Sequence, residues 1–146
     1  MEDLRDRVAD PDAPTSMIDD AARHAALDVR LVAVRHHKLP YPTLVELLHD
    51  HDEQIRAAAA SHFKMTSYLL EDMAADPCED VRCAVARHPH LRSGVADLLA
   101  TDESEKVRAA VATGYAITSS ALRSLTIDTS QMVRDVAARR HKIAFA

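Results

Sequence analysis

The chain has 146 residues, the size of one ordinary domain, and it is 47% hydrophobic with 3% aromatic residues and no tryptophan. Its two glycines disfavour a sheet-rich fold with many tight turns, so alanine, valine and leucine are expected to build a helical core. The formal net charge of −5 disfavours general nucleic-acid binding, because phosphate contacts need a basic surface.

The charge is distributed unevenly along the chain. Residues 1–23 hold seven acidic residues against three arginines, whereas residues 131–146 hold four bases against one acid. The sequence shows no apolar run long enough to span a membrane and no signal peptide. With two cysteines, a cytoplasmic, reducing environment is therefore expected. The four bases are Arg134, Arg139, Arg140 and Lys142.

An apolar residue followed by arginine recurs every 26 residues and organises the whole sequence. Aspartate stands six residues before the arginine in four copies, and His24 takes its place in the first copy. Apolar residues stand three and nine residues after the arginine in every copy. The five pairs are Val29-Arg30, Ile55-Arg56, Val81-Arg82, Val107-Arg108 and Val133-Arg134.

The predicted units follow one another as helix pairs, because one short pair cannot bury its apolar face alone. Residues 1–23 form a degenerate partial unit in which Leu4-Arg5 replaces the usual pair. Further units are predicted at 24–49, 50–75, 76–101 and 102–127, and residues 128–146 form a partial unit. Ile143 and Phe145 are expected either to fold back as a cap or to dock on another molecule.

The unit at 76–101 shows the expected local structure. Asp76 is predicted to cap the first helix, Pro77 to occupy its first position, and the helix to run about eleven residues to Arg87. Val81 and Val85 face the core at helical spacing. A shorter second helix follows in each unit, with N-caps predicted at Ser67, Ser93 and Ser119.

Residues 76–91, DPCEDVRCAVARHPHL, resemble the unit of the leucine-rich repeat variant family, a relative of HEAT repeats. Weaker copies cover residues 24–146. The resemblance implies an all-α, right-handed α-solenoid of five 26-residue two-helix repeats plus the degenerate N-terminal unit, in one domain over residues 1–146. The cysteine-rich iron–sulfur segment of some members is missing from this sequence, so no cofactor is expected.

The arginine column has two interpretations, a basic stripe that reads phosphates and a structural ladder between units. The recurring aspartate column favours the ladder, because charge-assisted bidentate pairs would fix the register of neighbouring units. With His24 in place of aspartate, Arg30 is expected to be free or to use Asp28. The ladder residues are Arg30, Arg56, Arg82, Arg108, Arg134, Asp50, Asp76, Asp102 and Asp128.

Histidine and cysteine residues raise the question of a metal site. His36, His62 and His88 share one column at the helix end, where histidine complements the helix dipole and bonds a free carbonyl. Gly114 and Arg140 continue that column, which favours helix capping over metal binding. Cys78 and Cys83 are five residues apart and point about 140° apart on a helix, with Cys83 on the outer face. We therefore predict no metal site.

The next column carries a ring in every copy. It predicts either a packing ridge along the turns or a partner-binding stripe, since aromatic residues favour binding hot spots. Together with two basic residues near the C-terminal end, it supplies the candidate partner-binding residues. The column holds His37, Phe63, Pro89, Tyr115 and His141, and the basic residues are Arg139 and Arg140.

No nucleophile elbow, Gly-rich phosphate loop or zinc-binding HExxH motif occurs in the sequence. The favoured function is a non-catalytic scaffold or adaptor that binds a protein partner through an extended solenoid surface. A homodimer through the C-terminal end is a further option. The alternatives are a nucleic-acid-binding solenoid that uses the basic C-terminal end and, by fold analogy alone, a HEAT-like lyase.

Overall fold

The structure, a computed structural model, describes the backbone of residues 3–144 and all side chains in that range except those at 141, 143 and 144. Every regular element in this range is an α-helix, as the sequence predicts. The expected cap formed by Ile143 and Phe145 lies outside the described side chains. The helices are α1 (Leu4–Ala9), α2 (Thr15–Ala22), α3 (Leu27–Arg35), α4 (Tyr41–Leu47), α5 (Glu53–Ala60), α6 (Ser67–Met73), α7 (Glu79–Ala86), α8 (Ser93–Leu99), α9 (Glu105–Thr113), α10 (Ser119–Leu125) and α11 (Gln131–Ala144).

Helices α1–α5 form one compact unit, Met1–Lys64. Within it α1 packs on α2 and α3, α2 also packs on α3 and α4, and α5 packs on α3 and α4. The side chains of Ile18, Val34, Leu44 and Ile55 are fully buried between these helices. Each helix is only 6–9 residues long and buries one apolar stripe, so its stability comes from stacking on its neighbours.

Helices α6–α11 form a second compact unit, Met65–Ala146. Helices α7, α9 and α11 stack in order, and α8 and α10 each bridge two consecutive members of that stack. Fully buried valines line the stack at Val81, Val85, Val107, Val111 and Val133. The repeated helix-pair packing is that of an α-solenoid. Its right-handed sense, the number of repeats and the single-domain organisation stay predictions.

The first helix of a unit begins later than the sequence suggests. Helix α7 has its N-cap at Cys78 and spans eight residues, so Pro77 lies in the preceding turn and Arg87 is the C-cap. The Asp76 side chain instead accepts a hydrogen bond from the Cys78 amide at 2.8 Å, which forms an Asx turn. The prediction of Asp76 as N-cap, with Pro77 in the first helical position, is therefore wrong. The same Asx turn occurs at Asp50, Asp102 and Asp128.

The second helices begin at the serines themselves, so the N-cap of each helix is the residue before the serine. The Thr66 hydroxyl accepts from the Leu69 amide at 3.4 Å, and the Thr118 hydroxyl accepts from the Ala121 amide at 3.2 Å. In α8 the N-cap is Arg92, whose side chain makes no capping bond. The predicted caps Ser67, Ser93 and Ser119 occupy the first helical position instead.

Candidate partner-binding surface

Two arginines of the compact unit Met65–Ala146 pair with aspartates of the repeat that follows their own. Arg82 Nε donates to Asp102 Oδ2 at 2.8 Å, and a terminal nitrogen of Arg82 donates to Oδ1 at 3.0 Å. Arg108 makes the same fork to Asp128 at 2.8 and 2.9 Å. These four side chains are only 9–13% exposed. Bidentate, charge-assisted pairs of this kind fix orientation as well as contributing energy.

Each ladder arginine also holds the turn that precedes its own helix. The other terminal nitrogen of Arg108 donates to the carbonyl oxygens of Asp102 and Glu103 at 2.8 and 3.1 Å. Asp102 in turn accepts the amide of Ser104 at 2.8 Å. One arginine therefore connects its own turn to the turn of the next repeat. The same two carbonyl contacts are made by Arg30, Arg56, Arg82 and Arg134.

The first copy of the ladder corrects one prediction. Arg30 Nε lies 3.4 Å from Asp50 Oδ2, so Arg30 is neither free nor paired with Asp28, although His24 replaces the aspartate of its own unit. The physical reason is that Arg30, like Arg82 and Arg108, pairs forward with the aspartate of the following repeat. The pair at Arg30 is looser than the others, because its buried Nε makes no hydrogen bond.

The ladder arginines Arg82 and Arg108 favour the ionised form of the aspartates that they bind, Asp102 and Asp128. Burial raises the pKa of Asp102, but the hydrogen bonds from Arg82 and the Ser104 amide outweigh burial and leave the pKa below its ordinary value. For Asp128, the hydrogen bond from Arg108 is the largest cause, and it also holds the pKa below the ordinary value. Both carboxylates therefore contribute to folding in their charged form.

A second column of contacts runs through the buried histidines. His36 Nδ1 accepts the amide of Lys38 at 3.1 Å, and its Nε2 lies 3.0 Å from the carbonyl oxygen of Asp10. His62 Nδ1 accepts the amide of Lys64 at 3.2 Å, and its Nε2 lies 3.3 Å from the carbonyl oxygen of His36. Acceptance by Nδ1 assigns the proton to Nε2, which then donates to a carbonyl 26 residues earlier.

The corresponding sequence positions in the compact unit Met65–Ala146 are His88, Gly114 and Arg140. His88 is buried and its Nδ1 accepts the amide of His90 at 3.1 Å. Arg140 donates to the carbonyl of Gly114, again 26 residues earlier. A Cβ on Gly114 would lie 2.2 Å from the carbonyl oxygen of Ala86, so only glycine fits there. In the described part of the chain, no group of three or more His, Cys, Asp or Glu is placed to hold a metal ion.

The two cysteines lie in different environments. Cys83 is buried, although the sequence placed it on the outer face of its helix. Burial raises the pKa of the Cys83 thiol. Cys78 is half-buried at the N-cap of α7, and its side chain makes no capping bond.

The ring column lies on the surface. His37, Phe63, Pro89 and Tyr115 are all exposed, although each follows a buried residue of the neighbouring column. The side chain of His141 lies outside the described side chains. This exposure argues against a buried packing ridge at the four described positions, although His37 and Phe63 each stack on the buried histidine beside them. A partner-binding role for this column stays a prediction.

The exposed aromatic residues extend beyond this column. All phenylalanine and tyrosine residues of the described range have well-exposed side chains, and the apolar core is built from aliphatic residues, alanine, methionine and Cys83. Aromatic side chains carry a large apolar area, so a partner that covered them would gain binding energy. The exposed fractions are 44% for Tyr41, 59% for Phe63, 69% for Tyr68 and 75% for Tyr115.

Sequence reasoning missed a groove between α6 and α8. Its volume is about 740 Å³, and Leu98 at its edge is 67% exposed. The Arg92 guanidinium crosses this region, 4.5 Å from the ring centroid of Tyr68 and 3.2 Å from Glu71 Oε2. Gly94 in its wall leaves open space where a Cβ would stand. Only Leu98 could have indicated the groove from the sequence, because it is a large apolar residue that lies one position before the buried Leu99 and therefore outside the apolar stripe of α8.

The basic residues near the C-terminal end are used in different ways. Arg139 is exposed and its Nε donates to the carbonyl of Asp135 at 3.2 Å. Arg140 is half-buried and donates to the carbonyls of Ala112 and Gly114.

Among the helices of residues 3–144, none combines the length and apolar character needed to cross a membrane.

Comparison with solved structures shows a similar repeat fold. A solved structure described as "a leucine-rich repeat variant with a novel repetitive protein structural motif" superimposes with a TM-score of 0.71 and 28% sequence identity. The chain is similar to a leucine-rich repeat variant. The match covers 95% of this chain and 56% of the solved chain, so this chain spans little more than half of its length. No family model and no curated protein matches the chain.

The similarity confirms the resemblance stated from residues 76–91. It extends over 95% of the chain. The repeat fold is thereby established, and the chemistry of any partner has to be argued from the surface residues of this chain.

Proposed function

We propose that the protein is a non-catalytic repeat scaffold that binds a protein partner through the exposed aromatic residues of its turns. The observation that carries this proposal is the exposure of Phe63 and Tyr115 at equivalent positions of two repeats. Tyrosine and phenylalanine bury a large apolar area and lose little conformational freedom on binding, which is why they are enriched at interface centres.

The surroundings of each ring support this role. Phe63 stacks on the ring of His62 with 4.6 Å between centroids, and His62 is itself fixed by two backbone contacts. A ring held by a buried neighbour is pre-organised, so less entropy is lost when a partner covers it. Lys64 Nζ lies 5.7 Å from the Phe63 centroid and adds a positive charge beside the ring.

A nucleic-acid partner receives less weight. Arg134 and Arg140 direct their guanidinium groups at backbone carbonyls of their own chain, which leaves Arg139 as the most accessible arginine of α11. The formal net charge of −5 also opposes association with a polyanion. A non-catalytic role agrees with the ladder and histidine columns, whose polar groups are engaged in contacts between repeats.

The test is affinity capture from the native cell, followed by reconstitution of the captured protein with the purified chain. Tyr115→Ala and Phe63→Ala should each weaken the reconstituted complex by about tenfold or more, as expected for interface hot spots. Thr113→Ala is the matched control for Tyr115, because it changes an exposed residue of the same repeat. Unchanged affinity in both aromatic variants would refute the proposed surface.

A further inference from the structure

The groove between α6 and α8 lies within the compact unit Met65–Ala146. Small residues form much of its wall, with Ala74 and Ala75 at the end of α6 and Gly94 at the start of α8. A Cβ at Gly94 would meet no atom within 4 Å, and Leu98 at the edge is 67% exposed. The volume of about 740 Å³ falls within the range of about 300–1,000 Å³ that is usual for ligand sites. The groove is therefore an open apolar surface that is large enough to accept side chains of a partner.

The corresponding pair of helices in the other compact unit is bridged by charged side chains. Between α2 and α4, a terminal nitrogen of Arg23 lies 2.7 Å from Glu46 Oε2. Ala75 and Leu98 stand 52 residues after Arg23 and Glu46. Neither of these side chains can form an ion pair or a hydrogen bond, so the gap between α6 and α8 is not bridged there. The Leu98 side chain is left in solvent as a result.

The charge of the two helices indicates which partner fits the groove. Among the described residues that line it, the one base is Arg92, which already contacts Glu71 Oε2 at 3.2 Å and the ring of Tyr68 at 4.5 Å. Asp72 is exposed, and helical spacing places it on the same face of α6 as Ala75. A cationic partner therefore has a carboxylate available beside the apolar wall. Helices α6 and α8 contain three acidic residues and no base, the acids being Glu71, Asp72 and Asp97.

We propose that this groove binds a short amphipathic helix of a protein partner, one whose polar face carries lysine or arginine. Helices α6 and α8 have seven residues each, so the groove between them is about 10 Å long at 1.5 Å per residue. This length matches about two turns of a bound helix, with apolar anchors at i, i+3 or i+4, and i+7. The anchors pack on Val95 and Leu98, and a base of the polar face lies beside Asp72. The groove is a second binding surface, and it does not rest on the exposed rings of the turns.

The experiment measures binding of a designed peptide by fluorescence anisotropy at about 0.15 M salt. The probe is a labelled peptide of about 14 residues, with leucines in the i, i+3, i+4, i+7 pattern and lysines elsewhere. One comparison peptide has glutamate in place of lysine, and another has the same composition in an order without helical period. The lysine peptide should bind saturably and about tenfold or more tightly than either comparison peptide. Absence of saturable binding, or equal affinity for all three peptides, would overturn the proposal.

Two variants test the apolar wall. Gly94→Leu should fill the groove, because its side chain enters open space, and Leu98→Ala should remove an exposed apolar contact. Each should weaken binding of the lysine peptide by about tenfold or more. Ile127→Ala is the matched control, since Ile127 is an aliphatic residue outside the groove and is 83% exposed; it should leave affinity within about twofold. Equal weakening by Ile127→Ala would indicate non-specific adhesion and contradict the proposal. Circular dichroism checks folding, and Leu98→Ala alone decides if Gly94→Leu does not fold.

A charge exchange tests the preference for a basic helix. Asp72→Lys should weaken binding of the lysine peptide and strengthen binding of the glutamate peptide. Asp135→Lys makes the same charge change at an exposed position of α11, outside the groove, and should leave both affinities within about twofold. If Asp72→Lys changes neither affinity, the groove does not select a basic helix and the proposal is wrong. Tyr115→Ala should leave peptide binding unchanged, which separates this proposal from the one that rests on the ring column.

Discussion

Substitution of Arg108 by alanine tests the ladder most directly. The change removes two hydrogen bonds to Asp128, at 2.8 and 2.9 Å, and two to backbone carbonyls, at 2.8 and 3.1 Å. It also leaves the Asp128 carboxylate, 9% exposed, without its counter-charge. Removing one partner of a buried pair costs about 3–5 kcal/mol. Asp128 keeps the hydrogen bond from the Ser130 amide, so the lower end, about 3 kcal/mol, is expected.

For a domain of this size, about 3 kcal/mol corresponds to a fall in melting temperature of about 10 °C. The measurement is urea and thermal unfolding followed by far-UV circular dichroism. Arg87→Ala is the control, because Arg87 is exposed and should change the unfolding free energy by less than about 0.5 kcal/mol.

A double-mutant cycle then isolates the pair. Asp128→Ala should also destabilise, and the Arg108→Ala/Asp128→Ala double variant should cost less than the sum of the single changes by about 2 kcal/mol. The assignment of a stabilising ladder fails if Arg108→Ala costs no more than Arg87→Ala, or if the two single changes add without coupling.

Three further predictions rest on individual residues. Asp102 and Asp128 have pKa values below the ordinary 3.8, so their contribution to the free energy of unfolding is complete above that value and is lost as the pH falls through the folded-state pKa. Unfolding free energies measured across acid pH should show this loss, and Asp128→Asn should make it smaller. Gly114→Ala places a Cβ 2.2 Å from a carbonyl oxygen and should destabilise the protein by about 1–3 kcal/mol. Gly94→Ala places its Cβ in open space within a helix and should stabilise the protein by about 0.5–1 kcal/mol. If urea unfolding showed Gly94→Ala to be the less stable of the two variants, the packing at Gly114 would be contradicted. The Cys83 thiol is buried and its pKa is raised, so it should react with Ellman's reagent only on unfolding, and fast reaction in the folded protein would disprove its burial.

The sequence predicted the residues of the ladder but not which aspartate each arginine binds. The columns at Arg82 and Asp102 were visible because the 26-residue spacing repeats them. In such a spacing, an aspartate six residues before one arginine is also 20 residues after the previous arginine. The sequence alone is compatible with an arginine that binds the aspartate six residues before it and with one that binds the aspartate 20 residues after it. In the structure Arg82 binds Asp102, 20 residues later, at 2.8 Å. Arg30 therefore has its carboxylate partner in Asp50, although its own repeat lacks the aspartate.

The helix starts and the turns were also difficult to predict. Asp76 and Cys78 both precede α7, and aspartate is the better N-cap by preference. An Asx turn uses the same carboxylate for the amide two residues on, and it moves the helix start to Glu79. In the turn after the first helix, His62 and Phe63 are neighbours with opposite burial. No 3.6-residue period extends through a turn, so the sequence pattern could not decide which ring is buried.

The sequence by itself determined the all-helical repeat fold, the positions of the apolar stripes and the resemblance to a leucine-rich repeat variant. These features depend on the 26-residue period and on helical spacing, which are local properties of the chain. The tertiary structure alone decided that Arg82 binds Asp102 of the next repeat, that Cys83 is buried and that Tyr115 is exposed. These features depend on how one repeat stacks on the next, and residues of the same column look alike in sequence whichever neighbour they face.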